Sequence, residues 1–293
     1  MSVYRHVIGL LLCLAASGAS GAPITFNTAL PVARGEFINR ELVVLTRADD
    51  RQRDLNANAL VSVLGYGANA DLAFFGVLPY LDKELKTTVR GVRLTRSSEG
   101  FGDASLFARY TFFKQNAPGH TFRIAAFGGV KAPTGDDDDR DALGRLPVPL
   151  QSGSGSWDVF GGLVTTYQTL AYQVDAQLSY TAKSEANNFE GGGEIRLDSS
   201  FQYRLSPRTL GRGTPDFLYA VLEANILHGS KNRVFGSRDQ NSGGTSIFLS
   251  PGLQYVNKRF IVESSMQLPV SQNLNGEALK NDYVARLGFR WNF

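Results

Sequence analysis

The last thirteen residues, 281–293, constrain the fold more than any other stretch, because they alternate between two chemical faces. Every second position carries an apolar or aromatic side chain, namely Tyr283, Ala285, Leu287, Phe289, Trp291 and Phe293. The positions between them include Arg286 and Arg290. Successive side chains of a strand point to opposite faces, so this segment predicts a strand with one apolar and one ionic face. A soluble sheet also alternates, but large aromatics at the chain end favour a lipid-facing strand with an interfacial aromatic belt.

Charge and cysteine content exclude several classes of protein. The formal net charge of the 293 residues is +3, with no concentrated basic segment of the kind that nucleic-acid binding requires. The one cysteine, Cys13, lies in the N-terminal apolar segment, which leaves no disulfide framework for an exported chain. Beyond that segment no apolar run is long enough for a transmembrane helix, so a membrane location requires a closed sheet.

The N-terminus predicts export. Arg5 and His6 precede the apolar run Val7–Ala16, and small residues follow it. This order is typical of a secretory signal, which we place at residues 1–21 with cleavage after Gly21. Residues 22–36 are expected to form an extended lead-in. Residues 37–293 are expected to form the folded domain.

Alternating segments separated by polar or glycine-rich breaks fill that domain. The predicted strands are 37–46, 57–66, 71–81, 103–113, 121–132, 157–168, 171–182, 193–205, 216–228, 245–256, 259–270 and 281–293. They predict an all-β transmembrane antiparallel barrel of about 12 strands, an even number as in single-chain bacterial barrels. Short turns alternate with longer loops, which is also typical of such barrels. Segment 37–46 has the poorest alternation, and a plug or lead-in is the alternative to a wall strand there.

Three motifs resemble a known family. They are Gly-Phe-Gly-Asp-Ala-Ser-Leu-Phe-Ala-Arg-Tyr at 100–110, Gly-Val-Lys-Ala-Pro-Thr-Gly at 129–135 and the Gly-Ser-Gly-Ser-Trp-Asp region within 150–163. In this order they resemble the outer-membrane proteins grouped as the MetA-pathway of phenol degradation family. The resemblance implies an outer-membrane channel or transporter, and it implies that Phe289, Trp291 and Phe293 form the signal read by the barrel-assembly machinery. From the residues alone, the glycines and Pro133 serve strand ends and turns.

Catalytic, metal and cofactor sites are not predicted. Only His120 and His228 remain outside the signal, and they fall at opposite strand ends. The acidic run 136–139 could bind a divalent cation, but a solvated loop tip is the simpler interpretation. An outer-membrane hydrolase that uses the acidic run with His228 is the third functional hypothesis.

The polar faces of the predicted strands carry charges that we expect to line the lumen, because a charge facing lipid costs several kcal/mol. They are Asp103, Arg109, Arg123, Lys131, Asp158, Asp175, Glu194, Arg196, Asp198, Arg204, Glu223, Glu263, Arg286 and Arg290. Phe107, Phe127 and Phe160 fall on the same face. These residues are compatible with a water-filled passage, and the family resemblance favours a channel or facilitated transporter for small molecules, including aromatic or hydrophobic ones. The alternative is a structural or surface-interaction barrel with a plugged lumen.

The expected location is the cell outer membrane, reached after removal of the signal. The expected partners are outer-membrane lipid, the barrel-assembly machinery and a small-molecule solute, with no nucleic acid and no cofactor. The sequence sets neither the solute nor the oligomeric state.

Overall fold

The computed structural model describes residues 21–50, 52–89, 91–210 and 216–293. Of the predicted signal, only Gly21 belongs to these residues, so residues 1–20 lie outside the described part of the chain. Within the described ranges, no helix is both long and apolar enough to cross a membrane.

Thirteen strands form one antiparallel sheet. We number them β1 (Phe37–Asp49), β2 (Arg53–Gly67), β3 (Leu72–Val89), β4 (Val92–Phe101), β5 (Ser105–Ala117), β6 (His120–Lys131), β7 (Asp158–Thr169), β8 (Tyr172–Lys183), β9 (Glu194–Ser206), β10 (Phe217–Gly229), β11 (Gly244–Val256), β12 (Phe260–Leu274) and β13 (Asn281–Asn292). The sheet closes on itself because β1 pairs with both β2 and β13, and β2 also pairs with β3. The predicted barrel is therefore confirmed. Among the described strands, β4 pairs only with β3 and keeps one free edge.

The wall has 12 positions although the sheet has 13 strands, because β4 and β5 both pair with β3. β5 pairs with the first part of β3, and β4 pairs with the second part, from Tyr80 to Val89. The sequence prediction treated 82–102 as a polar break, which was wrong. Alternating charges such as Lys83 and Glu84 made this stretch resemble a loop, whereas the structure shows a hairpin that continues past the apolar belt.

β1 is a full wall strand, which settles the open question over segment 37–46. It pairs with β2 from Phe37 to Asp49 and with β13 from Ile38 to Ala48. The last residue completes the closure, because the backbone N–H of Phe37 donates to the carbonyl of Phe293 at 2.7 Å. The N-terminal strand therefore depends on the C-terminal strand for one of its two neighbours.

The connections differ in length at the two ends of the barrel. Residues 68–71, 118–119, 170–171 and 257–259 form short turns at the end that also holds Phe293, which we call the turn end. The turn end also carries the longer connection 207–216 between β9 and β10. The opposite, loop end carries the β3–β4 hairpin and the long connections β6–β7, β8–β9 and β10–β11. Three small hairpins lie within those connections, at 140–145, 185–190 and 233–238, together with a 3-10 turn at Val148–Leu150.

The outward face of the wall is largely apolar and exposed. Trp291 is 53% exposed and Leu163 is 50% exposed, as expected for side chains that contact lipid rather than a protein core. Glu41 is an exception, since it lies on this face beside Ser62. It accepts hydrogen bonds from Asn39 Nδ2 at 3.0 Å and from Ser62 Oγ at 2.6 Å, which offset part of its desolvation cost.

Candidate functional site in the barrel lumen

The interior of the barrel contains the first described part of the chain. We call residues 22–34 the strap. Its side chains are among the most deeply buried in the molecule, with Ile24 at 1% exposure and Ala29 at 0%. The strap forms no strand, and it leads directly into β1 at Phe37. The predicted extended lead-in therefore lies inside the lumen.

The first half of the strap bonds to the inward side chains of β10 and β11. The amide and carbonyl of Ala22 both bond the side-chain amide of Gln254, at 3.2 and 3.0 Å. Glu223 accepts from the backbone N–H of Ile24 at 2.6 Å and from the hydroxyl of Thr25 at 2.5 Å. These buried polar groups satisfy backbone donors that have no strand partner.

The second half of the strap crosses to β5 and β7. The amide of Ala29 donates to Thr166 Oγ1 at 2.9 Å, and Arg109 donates to the carbonyl of Leu30 at 2.7 Å. Thr28 bonds both Thr166 and Asp175. Within the described residues, the bonds between strap residues 22–32 and the wall therefore run through side chains of the wall rather than through its backbone. The strap is therefore bound to side chains in the lumen and is not hydrogen-bonded to the backbone of any described wall strand over residues 22–32.

One half of the lumen is ionic and extends over the inward faces of β8–β13 and the adjacent β1; we call it the charged half. At its centre Glu263 accepts from Arg40 Nε at 2.6 Å and from Gln254 Nε2 at 2.8 Å, and Arg290 lies 3.9 Å away. Asp198 forms a second centre. It accepts from Asn225 at 2.8 Å and from Arg196 at 3.2 Å. Glu263 and Asp198 are thus paired with arginines, whereas the buried Glu223 and Asp175 accept hydrogen bonds from neutral groups.

The other half is rich in phenylalanine; we call it the aromatic half. Phe75 on β3 stacks on Phe107 of β5 with ring centroids 4.6 Å apart, and Phe107 meets Phe160 of β7 edge-on at 6.0 Å. Gly129 of β6 lies between Phe107 and Phe160 in the ladder, where a Cβ would overlap Phe107. Phe127 packs with Ala29 of the strap. This half therefore adds apolar packing to the strap's hydrogen bonds with Thr166 and Arg109, and the Arg109 guanidinium lies over the ring of Phe75 at 4.9 Å.

Residues 133–157, the mouth loop, lie over the lumen at the loop end. Lys131 joins Asp103 at 3.1 Å and Asp158 at 2.7 Å, and Ser154 donates to Asp103 from its amide at 2.9 Å. Beside them is a cavity of about 450 Å³, the mouth cavity, which Pro79, Leu81, Lys83, Asp103, Lys131, Val148, Gln151, Ser154, Asp158, Lys183 and Phe189 help to line. It therefore offers both charged and apolar groups to a molecule that enters.

Hydrogen bonds and charge set the protonation of the mouth. Burial alone would raise the pKa of Asp103, but hydrogen bonds from Ser154, Gly135 and Lys131 outweigh it and hold that pKa below its usual range. Burial lowers the pKa of Lys83, which donates to the carbonyl of Gln151 at 2.7 Å. Asp103 is thus ionised at neutral pH and fastens the mouth loop to the wall.

The predicted lumen residues all occupy inward positions. Those that are buried are Arg109, Asp158, Asp175, Asp198, Glu223 and Glu263. Those that are half-buried are Asp103, Arg123, Lys131, Glu194, Arg196, Arg204, Arg286 and Arg290. Asp103 and Asp158 belong to the mouth, whereas Arg109, Asp175 and Glu223 bond the strap.

Sequence reasoning missed several lumen residues. Arg40 was missed because its segment alternates poorly. Phe75 was missed because no residue of the predicted strand 71–81 was assigned to the lumen. The buried glutamines Gln177, Gln202 and Gln254 were also missed. They lie on the polar side of well-predicted strands, so the alternation that identifies the charged lumen residues also identifies them.

The residues of the hydrolase hypothesis do not meet in one site. His228 lies on the outward row, where its Nδ1 is 2.9 Å from Thr245 Oγ1. Asp137 in the mouth loop bonds Asn187 and lies near Arg145. Across the described ranges, no three His, Cys, Asp or Glu side chains converge as metal ligands would.

Solved structures of outer-membrane barrels are similar to this chain. The COG4313 outer membrane channel from Pseudomonas putida F1 matches with a TM-score of 0.70 and 14% identity, over 94% of this chain and 100% of that one. The beta domain of the Bordetella autotransporter BrkA matches with a TM-score of 0.51 and 12% identity, over 88% and 100%. At such identities the similarity establishes the fold alone.

The sequence matches the model of a protein family, although it matches no individual curated protein. The model of one family, described as "Putative MetA-pathway of phenol degradation", matches residues 41–273, which include twelve of the thirteen strands in whole or in part. The chain belongs to this family.

Proposed function

We propose that the chain is an outer-membrane channel for small amphipathic molecules, aromatic ones included, and that the strap sets the width of its lumen. The observation that carries the proposal is the division of the lumen. Stacked phenylalanines such as Phe75 and Phe107 face a wall of paired charges centred on Glu263. A solute with a ring and a polar group finds a partner for each on opposite sides.

The attachment of the strap supports passage rather than permanent closure. Its backbone bonds the side chains of Gln254, Glu223 and Thr166 instead of a neighbouring strand. A net intramolecular hydrogen bond is worth only about 1 kcal/mol, and water can replace each of these partners when the strap moves. The strap can therefore shift without opening any ladder of the wall.

The comparisons favour the same class of solute. The Pseudomonas putida F1 protein is named a channel, and the family description refers to phenol degradation. The mouth cavity of about 450 Å³ is of a size that admits a single aromatic ring. Phe189 and Leu81 offer it apolar contact, and Lys183 a positive charge.

Single-channel recording of the refolded full chain in planar bilayers tests passage. We expect discrete openings, together with an increase in liposome permeability over protein-free liposomes that is larger for phenol than for glycerol. A silent bilayer and liposomes no more permeable than protein-free ones would contradict the proposal. Protein added after heat denaturation is the control for leakage caused by detergent.

A plugged structural barrel is the second candidate, and the burial of the strap favours it. Ile24 and Ala29 are as enclosed as residues of a protein core. In that case removal of the strap would create conductance that the intact chain lacks. The recordings above distinguish the two, because the channel proposal requires openings with the strap in place.

We also propose the outer membrane as the location, with the turn end towards the periplasm and the signal removed on export. The exposed, outward Trp291 and the terminal Phe293 are available to an assembly machinery before the wall closes. Substitution of Phe293 by serine is expected to lower the amount of folded barrel in the outer membrane, as assayed on unboiled gels.

A further inference from the structure

A second cavity lies at the loop end, on the rim of the wall rather than in its lumen. We call this space of about 490 Å³ the rim cavity; it is lined by Tyr180, His228, Lys231, Arg233, Arg238 and Glu190, among others. Tyr180 continues the outward row of β8, where Leu178 is 54% exposed. Ile195 pairs with both Tyr180 and His228 and is also exposed on that face. The cavity therefore lies directly above side chains that contact lipid.

The charges of the rim cavity are not balanced within it. Arg233 and Arg238 are directly opposite each other across the 233–238 hairpin, an arrangement that is unfavourable for like charges. Glu190 neutralises Arg233 through a contact of 3.1 Å. Among the described residues, Arg238 has no carboxylate within ion-pair distance, and Lys231 bonds only the neutral side chain of Gln240. An anion placed between the two arginines would relieve their repulsion.

Position and charge together indicate what that anion is. The surface of the outer leaflet lies where the apolar belt ends, and the rim cavity begins at that level, at Tyr180. Arginine forks match the geometry of phosphate oxygens. Tyrosine at a membrane interface places its ring among acyl chains and its hydroxyl among headgroups. A lipid that brings both a phosphate and acyl chains satisfies every part of the site.

We infer that the rim cavity binds the phosphate-bearing headgroup of an outer-leaflet lipid, with Arg233 and Arg238 as the phosphate ligands. The acyl chains then lie along Leu178 and Ile195. The site is separate from the lumen, so it depends on the membrane location and not on passage of a solute.

Binding of diphosphoryl lipid A to the delipidated full chain in neutral detergent, followed by native mass spectrometry, tests the inference. Replacing both arginines (Arg233→Gln with Arg238→Gln) is expected to lower the affinity by at least about tenfold, because two charge-assisted contacts are lost. The matched control removes another directly opposed pair, Arg140 and Arg145 of the mouth loop, and is expected to leave the affinity unchanged. Slower migration after boiling than before it confirms that each variant is folded.

Three results would overturn the inference. The first is equal affinity of the double variant and the wild type. The second is that the double variant loses the same factor of affinity for lipid A without phosphate groups, which would mean that the arginines do not act through phosphate. The third is full displacement of the lipid by an equimolar amount of inorganic phosphate, which would make the cavity a site for the free ion. The single variant Arg238→Lys keeps the charge without the fork and is expected to fall between wild type and double variant.

Discussion

The charged and aromatic halves of the lumen hold the same strap by different means. In the charged half, Glu223 and Gln254 bond individual backbone atoms of the strap, so its position is fixed in register. In the aromatic half, Phe127 and neighbouring apolar groups pack on Ala29, whose backbone also bonds the hydroxyls of Thr166 and Thr111. Directional bonds lose their energy over a small displacement, whereas apolar contact tolerates sliding. The apolar packing on Ala29 is thus expected to persist through a small shift of the strap that breaks the hydrogen bonds in both halves.

The strongest way to break this comparison is to remove the strap. Deletion of residues 22–32 leaves β1 and the wall intact and empties the space between the halves. We expect a several-fold rise in single-channel conductance, measured in planar bilayers, because Ile24 and Ala29 no longer fill the lumen. Unchanged conductance in a variant that still shows heat-dependent gel mobility would mean that the strap does not limit passage.

A substitution in the charged half should lower the free energy of unfolding more than one in the aromatic half. Glu263→Gln leaves Arg40 and Arg290 without their shared carboxylate, and breaking a buried ion pair costs about 3–5 kcal/mol. Chemical unfolding in lipid vesicles, followed through tryptophan fluorescence, measures the loss. The exposed Glu185 lies outside the lumen, and Glu185→Gln is the matched control, with no expected change. Equal stabilities of the two variants would show that the ionic network does not stabilise the barrel.

A smaller effect is expected in the aromatic half. Phe107→Leu removes the stacking with Phe75, which is worth roughly 0.5–1.5 kcal/mol. The increase in phenol uptake over protein-free liposomes should fall relative to that of glycerol, because the ring of phenol loses its stacking partner. Phe112→Leu is the control, since Phe112 is on the same strand but 52% exposed outside the wall. Similar ratios for both variants would argue against selection by the phenylalanines.

The smallest effect concerns the mouth loop and pH. Because the pKa of Asp103 is lowered on folding, its contribution is complete above the ordinary carboxyl value and is lost as pH falls through the lowered value. The fluorescence of Trp157, recorded in a Trp291→Phe background, should therefore change only in strongly acidic solution. In Asp103→Asn this transition should be absent. A transition of the same midpoint in both proteins would assign it to another carboxyl group.

Alternation predicted the wall well because lipid on one side and polar contents on the other act on every strand. β8 and β9 were predicted to within one or two residues for this reason. The prediction failed where a strand no longer separates lipid from a polar lumen, as in the β3–β4 hairpin beyond the apolar belt. It also gave no course for the strap, because the strap's bonds to Gln254 and Thr166 join distant parts of the chain and leave no local period.

The distance between bonded residues along the chain also bears on how the protein is assembled. Ala22 and Gln254 are separated by 232 positions, and Arg40 reaches Glu263 across 223. The amino-terminal segment therefore cannot form these bonds until the strands near the carboxyl terminus have folded. Threading of the amino-terminal segment is consequently expected to be the final event of maturation, so that a newly inserted cylinder is briefly hollow and more permeable than the finished one.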